Sequence, residues 1–256
     1  MKIGKISNRV YYDINPTVLL YVGKNKKVLD IGCGPGTLGK IIRNMKNYVV
    51  GIDVNPKAVM IAKKVLDEAY ISDIEKKFPA KVLSKKFDII ICADILEHLH
   101  NPDSVLETIQ KLLKSEGLLI ISLPNVATWT VRLKLLFGKF NYTPTGILDK
   151  THVRFYTYRS GTQLIESKGF CIKEIDVTPN GVRAFLPVIR KIFSKEKITS
   201  GYDDTDKKII KSYPYRIYNK IFYPVELMIS RMWKRLLGYQ FIFVCTKNDK
   251  FQNRNK

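Results

Sequence analysis

Short apolar segments alternate with helical patterns between residues 27 and 123, and this alternation limits the possible folds more than any other feature of the chain. The segments between them carry apolar residues three or four positions apart, as amphipathic helices do. Strands that alternate with helices form a mostly parallel sheet with helices on both faces. We therefore predict an α/β domain. The strand candidates are 27–31, 48–52, 69–72, 87–92 and 117–122.

Three helices have recognisable ends in the sequence. Asn55-Pro56 and Asn101-Pro102 each place a capping residue before a proline at the first helical position. Gly117 is expected to close the second of these helices. A further helix is predicted within residues 160–170, and it is expected to end at Gly169.

The alternation stops after Pro124. Residues 125–158 are predicted to be loop-like, and two more strands are predicted at 170–177 and 239–246. The segment between these two strands is basic, aromatic and partly helical. The predicted division is an N-terminal helical cap (1–26), a core (27–180), a basic aromatic insertion (181–238), and a last strand with a disordered tail (239–256).

The net charge of the chain indicates which classes of partner it could bind. The chain has 256 residues with 44 Lys and Arg against 23 Asp and Glu, a net charge of +21. Such an excess predicts affinity for polyanions or anionic membranes, although lysines spread over a surface also serve solvation alone. The sequence does not indicate an oligomeric state.

Cysteine spacing and hydropathy indicate a cellular location. The four cysteines lie far apart without metal-ligand spacing, as expected of reduced thiols in the cytosol. No apolar run approaches the roughly 18 residues of a membrane span. We expect a cytoplasmic protein, with any membrane contact peripheral at the inner face.

The stretch KVLDIGCGPGTLG places a glycine-rich loop directly after the first strand. Gly32, Gly34 and Gly36 are expected to let the backbone approach a ligand and to expose amide groups. Dinucleotide-binding proteins have a similar loop, but Thr37 stands where their third glycine is expected. Asp30 would repel a pyrophosphate and attract an ammonium or sulfonium group. The loop therefore favours a zwitterionic, cationic cofactor.

Acidic residues follow the next strands at the same edge of the predicted sheet. Asp53 follows the second strand and can accept two hydrogen bonds from a ribose diol. Asp73 follows the third strand, where it can accept from an adenine amino group. Asp94, Glu97 and His98 follow the fourth strand. Ligands of open α/β sheets bind at this carboxyl edge, so these residues predict a nucleoside site.

These motifs, in this order, resemble those of the class I S-adenosylmethionine-dependent methyltransferases. They are VLDIGCGPGTLG, VVGIDVNP, ISDIE, FDIIICADILEHLHNP and GLLIISLPN. The stretches YYDINP and GILDKTHVRFYT resemble more closely the ubiquinone O-methyltransferase-like branch, often met in cell-envelope polysaccharide and lipid biosynthesis. The resemblance implies S-adenosylmethionine as cofactor and a Rossmann-like seven-stranded sheet with an antiparallel last strand.

Position within the family also implies the cofactor contacts. An aromatic residue near Tyr11 and Tyr12 is expected to pack over the methionine end of the cofactor, although packing on the sheet is an alternative role. The implied contacts are Tyr12, Asp30, Gly32, Cys33, Gly34, Gly36, Asp53, Val54, Asp73, Ile74, Ala93, Asp94 and His98.

A hydroxyl acceptor must lose its proton during methyl transfer, which requires a base with a pKa near the working pH. Of the three histidines, His152 lies in the lid-like segment THVRFYT, and we predict that it is this base. Asp94 or Asp149 is expected to orient it, and His98 is expected beside the cofactor. A packing role for His152 remains the alternative.

A metal site is an alternative use of the same residues. Asp94, Glu97, His98 and His152 resemble the ligands of small-RNA 3′-terminal 2′-O-methyltransferases, in which a metal binds the ribose diol. Two carboxylates and two imidazoles suit a divalent ion. Asp94 stands where that family has a glutamate, and LEHL also occurs in metal-free relatives.

Two segments are expected to determine the acceptor. Residues 125–140 and 216–239 mix aliphatic and aromatic residues with Lys and Arg, as in helices that lie on a membrane. This pattern predicts a lipid-linked or otherwise amphiphilic acceptor, and together with the resemblance it implies a small, lipid-linked or glycan acceptor. The alternatives are helices that only pack on the domain, RNA as the acceptor, and a non-catalytic module that binds S-adenosylmethionine.

Overall fold

The computed structural model describes residues 16–180 and 218–248. Tyr11 and Tyr12 lie outside the described residues, as do most of the predicted insertion and the tail 249–256. The predicted domain division therefore stays a prediction. Within the described part of the chain, no helix has the length and apolar character needed to cross a membrane.

All seven predicted strands are confirmed within two residues, except that the fifth begins earlier. The strands are β1 (Lys27–Ile31), β2 (Tyr48–Asp53), β3 (Glu68–Ile71), β4 (Phe87–Ala93), β5 (Leu113–Pro124), β6 (Phe170–Pro179) and β7 (Gly238–Lys247). The helices are α1 (Pro16–Leu19), α2 (Thr37–Asn44), α3 (Pro56–Ala62), α4 (Ala80–Leu83), α5 (Pro102–Leu112), α6 (Trp129–Leu136), α7 (Tyr158–Ser167), α8 (Tyr223–Met232) and α9 (Lys234–Leu237). A 3₁₀ turn covers Leu96–His98, and a π-helical turn covers Tyr218–Phe222.

The strands form one seven-stranded sheet in the order β3-β2-β1-β4-β5-β7-β6. Neighbouring strands from β3 to β5 pair in parallel, whereas β7 runs antiparallel to both β5 and β6. The expected Rossmann-like sheet with an antiparallel last strand is thus confirmed. The chain reverses its direction of winding between β1 and β4, which opens a crevice at the carboxyl ends of these strands.

Apolar side chains cover both faces of the sheet. Successive side chains of β1 point to opposite faces of the sheet. Val28 therefore belongs to one apolar cluster, and Leu29 and Ile31 belong to the other. The parallel strands are almost wholly apolar because both of their faces are buried. All four cysteines are free thiols, as expected, and only Cys171 is not fully buried.

Side-chain caps define where α3 and α5, the helices next to the site, begin. The Asn55 side chain accepts from the amides of Lys57 and Ala58 at 3.0 and 3.3 Å, and that of Asn101 accepts from Ser104 N at 3.3 Å. Both predicted caps are confirmed. They orient α3 and α5 as these helices leave the carboxyl edge of the sheet.

Two local predictions were wrong and one was confirmed. Gly117 does not close α5, because that helix ends at Leu112 and the chain passes straight into β5. Residues 125–158 include a helix, α6, in addition to irregular structure. Gly169 does follow α7, with a φ of 75° that suits the end of a helix.

Candidate cofactor and acceptor site

The register of the sheet brings the predicted cofactor residues to one edge. Ile31 of β1 pairs with Ile52 of β2 and with Cys92 of β4. Gly32, Asp53 and Ala93 follow these three partners and therefore lie side by side at the carboxyl edge. The exposed Val54 and the loop with Asp73 and Ile74 continue the same edge beyond β2 and β3.

The glycine loop adopts a backbone conformation that other residues rarely reach. Gly32, Gly34 and Gly36 have φ values of 75°, 51° and 80°. A Cβ on Gly32 would lie 2.9 Å from Ile95 Cδ1, whereas a Cβ on Gly34 would meet no atom of the described residues within 4 Å. Gly34 therefore leaves open space where a ligand can approach the backbone.

The amide groups of this loop are not exposed, so that part of the prediction was wrong. Gly32 N and Cys33 N both donate to the Ile52 carbonyl, at 2.8 and 3.0 Å. Gly34 N donates to Asp53 Oδ2 at 2.8 Å. The loop folds back over the end of β2 and satisfies these donors within the protein. Because they are not available to phosphate oxygens, their arrangement argues against a pyrophosphate ligand.

Two backbone amides fix the orientation of the Asp53 carboxylate. Its Oδ2 accepts from Gly34 N, and its Oδ1 accepts from Asn55 N at 2.8 Å. A carboxylate offers about four acceptor positions, so about two remain beside the open space at Gly34. That geometry fits the diol of a ribose.

Asp30 lies beneath the loop. The residue is only 2% exposed, and its Oδ2 has no hydrogen-bond partner within the part of the chain that the structure describes. Burial, followed by the charge of Asp53, raises the pKa of Asp30 to about 7. Burial also raises the pKa of the neighbouring Cys33 thiol. The structure thus places the Asp30 carboxyl under the cofactor loop.

Asp73 is bound to its own loop. Its Oδ1 accepts from Glu75 N at 3.2 Å, and its Oδ2 forms an ion pair with Lys76 at 3.1 Å. The hydrogen bond from Lys76 is the main reason why the pKa of Asp73 is lowered. Ile74 packs against the core, which anchors this loop next to β2.

Asp94 ends β4 in a left-handed conformation with a φ of 53°, which is unusual for a residue other than glycine. Its backbone amide donates to Ser122 Oγ at 2.9 Å, and Ser122 Oγ donates to Asp94 Oδ1 at 2.6 Å. Gln240 Nε2 donates to Oδ2 at 2.7 Å. Ser122 and Gln240 were not predicted from the sequence. Both are polar residues within the otherwise apolar strands β5 and β7, and this feature of the sequence could have indicated a role in the site.

Glu97, His98 and His152 lie close together after β4. The His98 and His152 rings pack edge to face with centroids 4.8 Å apart. His152 Nε2 lies 4.0 Å from Glu97 Oε1. Burial lowers the pKa of His152, which favours the neutral form of the imidazole. Burial, followed by the charge of Asp94, raises the pKa of Glu97 well above its ordinary value.

Backbone hydrogen bonds join the segment around His152 to the 3₁₀ turn that carries Glu97. Val153 N and Arg154 N both donate to the Glu97 carbonyl at 3.0 Å. Asp149 Oδ1 accepts from Thr151 N and Oγ1, both at 2.8 Å. Thr151 in turn contacts His98, so these contacts link Asp149 to His98 through Thr151.

Comparisons with known proteins agree with this fold. A family described as "Methyltransferase domain" matches residues 23–152. A ubiquinone biosynthesis O-methyltransferase of Coxiella burnetii is 30% identical over 176 residues, which cover 64% of this chain and 73% of that protein. The protein of the same name from Glaesserella parasuis is 34% identical over 126 residues. That match covers 44% of this chain and spans about half, 53%, of the relative's length.

Solved structures show the same architecture at low sequence identity. A SAM-dependent methyltransferase from Archaeoglobus fulgidus has a TM-score of 0.55 at 17% identity, over 91% of this chain and 90% of that chain. Gly34, with open space beside it, and the adjacent Asp53 are residues that fit this cofactor. The chain therefore belongs to the class I S-adenosylmethionine-dependent methyltransferases, as an enzyme similar to the ubiquinone biosynthesis O-methyltransferases.

Proposed function

We propose that the enzyme methylates a hydroxyl oxygen of a small, lipid-linked or glycan acceptor. S-adenosylmethionine supplies the methyl group and a sulfonium leaving group when bound. Asp53 would bind the ribose, and the buried edge of the sheet would orient the reactants and exclude water. The observation that carries the proposal is the cluster of Glu97, His98 and His152, at the edge where the cofactor residues end.

His152 supports oxygen as the acceptor atom. Its Nδ1 lies 3.1 Å from the Ile147 carbonyl, which can only accept a hydrogen bond. The hydrogen is therefore on Nδ1, and Nε2 carries a free lone pair. That lone pair could take the proton of a hydroxyl, as predicted from the sequence, or bind an ion. It faces Glu97, whose Oε1 lies 4.0 Å away.

The acceptor class is tested by giving the purified enzyme methyl-labelled S-adenosylmethionine and a whole-cell extract. We expect label in an organic-solvent or glycolipid fraction, as a methyl ether stable to mild base. The Asp53→Ala variant is the negative control. Label confined to RNA would overturn the proposal in favour of the ribose-methylating alternative. Cofactor binding without label in any fraction would indicate a non-catalytic module.

An amphiphilic acceptor is supported by exposed apolar side chains on α6 and the loop after it, and on the segment from the π-helical turn to α9. Trp233 is 61% exposed and Leu136 is 77% exposed. Thr128 Oγ1 donates to the Leu236 carbonyl at 3.1 Å, which joins the start of α6 to α9. The other exposed apolar residues there are Leu133, Leu135, Phe137, Phe140, Tyr142, Ile221, Phe222, Val225, Met228, Ile229, Met232 and Leu236.

The basic residues of α8 and α9 face the domain. Arg231 binds the buried carboxylate of Asp176, and Lys234 donates to a carbonyl of β6. The Arg235 guanidinium lies 4.6 Å from the centre of the Tyr158 ring. These contacts hold the helices by their basic side, so the apolar side of α8 is left exposed in the described part of the chain. We propose that this side inserts into an anionic membrane at the cytoplasmic face.

Vesicle flotation tests the membrane proposal. Wild-type protein is expected to float with vesicles that contain phosphatidylglycerol at low salt. A Met232→Glu/Trp233→Glu variant should remain at the bottom, because two buried charges oppose insertion. Met60→Glu on α3 is the control, since Met60 is exposed to a similar extent, at 59%. Wild-type protein that stays at the bottom, or equal flotation of all three proteins, would contradict membrane insertion.

A further inference from the structure

The Asp94 carboxylate is held by donors from two strands that come later in the chain. Ser122 of β5 donates to Oδ1 at 2.6 Å, and Gln240 of β7 donates to Oδ2 at 2.7 Å. Ser122 Oγ also accepts from the Asp94 amide at 2.9 Å, so one hydroxyl fixes both the backbone and the side chain. Ser122 is fully buried, and Gln240 is 8% exposed. Buried polar groups are unfavourable unless they bind a partner, and both residues find one in Asp94.

A third strand fixes the orientation of the Gln240 amide. Thr178 of β6 is 1% exposed and pairs with Gln240 in the sheet. Its hydroxyl donates to Gln240 Oε1 at 3.3 Å. Because Oε1 only accepts hydrogen bonds, the Nε2 end of the amide is turned towards Asp94. Side chains of β5, β6 and β7 therefore set the orientation of one carboxylate.

The register of the sheet places this carboxylate beside the cofactor loop. Asp53 ends β2 and Asp94 follows β4, and β1 with its glycine loop lies between these strands. Neighbouring strands lie about 4.8 Å apart, so the ends of β2 and β4 are about 10 Å apart. A donor that binds Asp53 with its ribose and crosses the open space beside Gly34 reaches β4 with its methionine end. This placement of the donor rests on the proposed ribose contact of Asp53.

The methionine end of the donor carries a sulfonium and an ammonium group, which a carboxylate attracts. The sequence indicated Asp30 for this attraction, but Asp30 lies beneath the loop and is only 2% exposed. Asp94 is half-buried at the edge itself. It lies outside the group that Glu97 forms with His98 and His152, although the sequence suggested all four as possible ligands of one metal ion.

We propose that Ser122 and Gln240 are positioning residues for the methyl donor, because they hold the Asp94 carboxylate against its sulfonium and ammonium groups. Neither residue touches the donor in this arrangement. A carboxylate that rotated freely would face the cationic groups for only part of the time. One that is held through both oxygens is oriented before the donor binds, so binding does not have to order this side chain.

Titration calorimetry with three ligands tests this role without an acceptor. S-adenosylmethionine carries both cationic groups, S-adenosylhomocysteine keeps the ammonium, and 5′-methylthioadenosine has neither but keeps the nucleoside. Gln240→Met and Ser122→Ala are each expected to weaken S-adenosylmethionine binding by roughly tenfold, since each removes a hydrogen bond that orients the carboxylate. S-adenosylhomocysteine should also bind more weakly. The affinity for 5′-methylthioadenosine should stay within about twofold of wild type.

Matched variants separate positioning from a general loss of structure. Ser122→Thr keeps the hydroxyl and should bind S-adenosylmethionine more tightly than Ser122→Ala. Ser230→Ala on α8 removes a similarly buried hydroxyl, 2% exposed, and should leave all three affinities unchanged. In an Asp94→Ala background, Gln240→Met should cause no further loss, because Gln240 acts through that carboxylate.

Three outcomes would overturn the proposal. They are wild-type affinity for S-adenosylmethionine in both Gln240→Met and Ser122→Ala, an equal loss for all three ligands, and a fully additive loss in the Asp94→Ala background. Binding of 5′-methylthioadenosine shows that each variant is folded. Asp53→Ala should weaken all three ligands, so a wrong ribose assignment is detected separately. No acceptor is present, so the result does not depend on which acceptor class is labelled.

Discussion

Replacement of Asp53 by alanine is expected to weaken S-adenosylmethionine binding by roughly 100-fold, measured by titration calorimetry. Hydrogen bonds to a carboxylate contribute about 1.5 to 3 kcal/mol each, and about 1.4 kcal/mol corresponds to a tenfold change in affinity. The ribose diol would lose its two bonds to this group. Gly34 N and Asn55 N would also lose the acceptor that shapes the loop. The same loss is expected for S-adenosylhomocysteine, because both ligands share the nucleoside.

Asp88 provides a matched control for that measurement. It also belongs to a strand end and accepts from a backbone amide, that of Lys27 at 2.8 Å, but it lies at the amino end of β4. Asp88→Ala removes a comparable bond on the opposite edge of the sheet, so cofactor affinity should stay within about twofold of wild type. Wild-type affinity in Asp53→Ala would show that Asp53 does not bind the ribose.

Replacement of Asp30 by asparagine is expected to remove a large part of the pH dependence of stability. The pKa of Asp30 is raised from 3.8 to about 7 on folding, by burial and then by the nearby charge of Asp53. Well below its unfolded-state pKa of 3.8 the carboxyl is protonated in both states and contributes nothing. As the pH rises towards 7 the unfolded state ionises first, so the wild type loses stability. The full loss, about 4 kcal/mol, applies above pH 7.

Urea unfolding of the cofactor-free protein between pH 4 and 8 measures this effect. The free energy of unfolding of Asp30→Asn, relative to wild type, should rise by about 4 kcal/mol across that range. Asp30→Leu serves as a second variant, since it also does not titrate and should follow the same profile from a different starting stability. A difference that stays constant across the range would contradict the raised pKa of Asp30.

The fold was predictable because its signals are local. The period of each apolar segment identified seven strands, and the Asn55-Pro56 cap identified a helix start from a few adjacent residues. The failure at Gly117 has an equally local cause. A glycine signals the end of a helix, but here α5 stops at Leu112, and β5 begins at the next residue to pair with β4.

The site was predictable only in its position along the chain. Acidic residues that follow parallel strands must gather at one edge, so Asp53 and Asp94 were found without a structure. Which group each carboxylate binds depends on residues far away in sequence. Gln240 reaches Asp94 from a strand 146 residues later, and β7 had to insert between β5 and β6 for this contact to form.

The sequence by itself determined the α/β sheet, the methyl donor and the edge of the sheet where we propose that this donor binds, since each depends on short motifs whose geometry is set by the backbone. Tertiary structure alone decided that the loop amides bond to Ile52 and Asp53, and that His98 and His152 lie close to the buried Glu97, whose side-chain oxygens have no hydrogen-bond partner among the described residues. It also decided that α8 docks through Arg231 and leaves apolar side chains exposed. The physical reason is that these contacts join segments far apart in the chain, whose approach is set by strand register and packing.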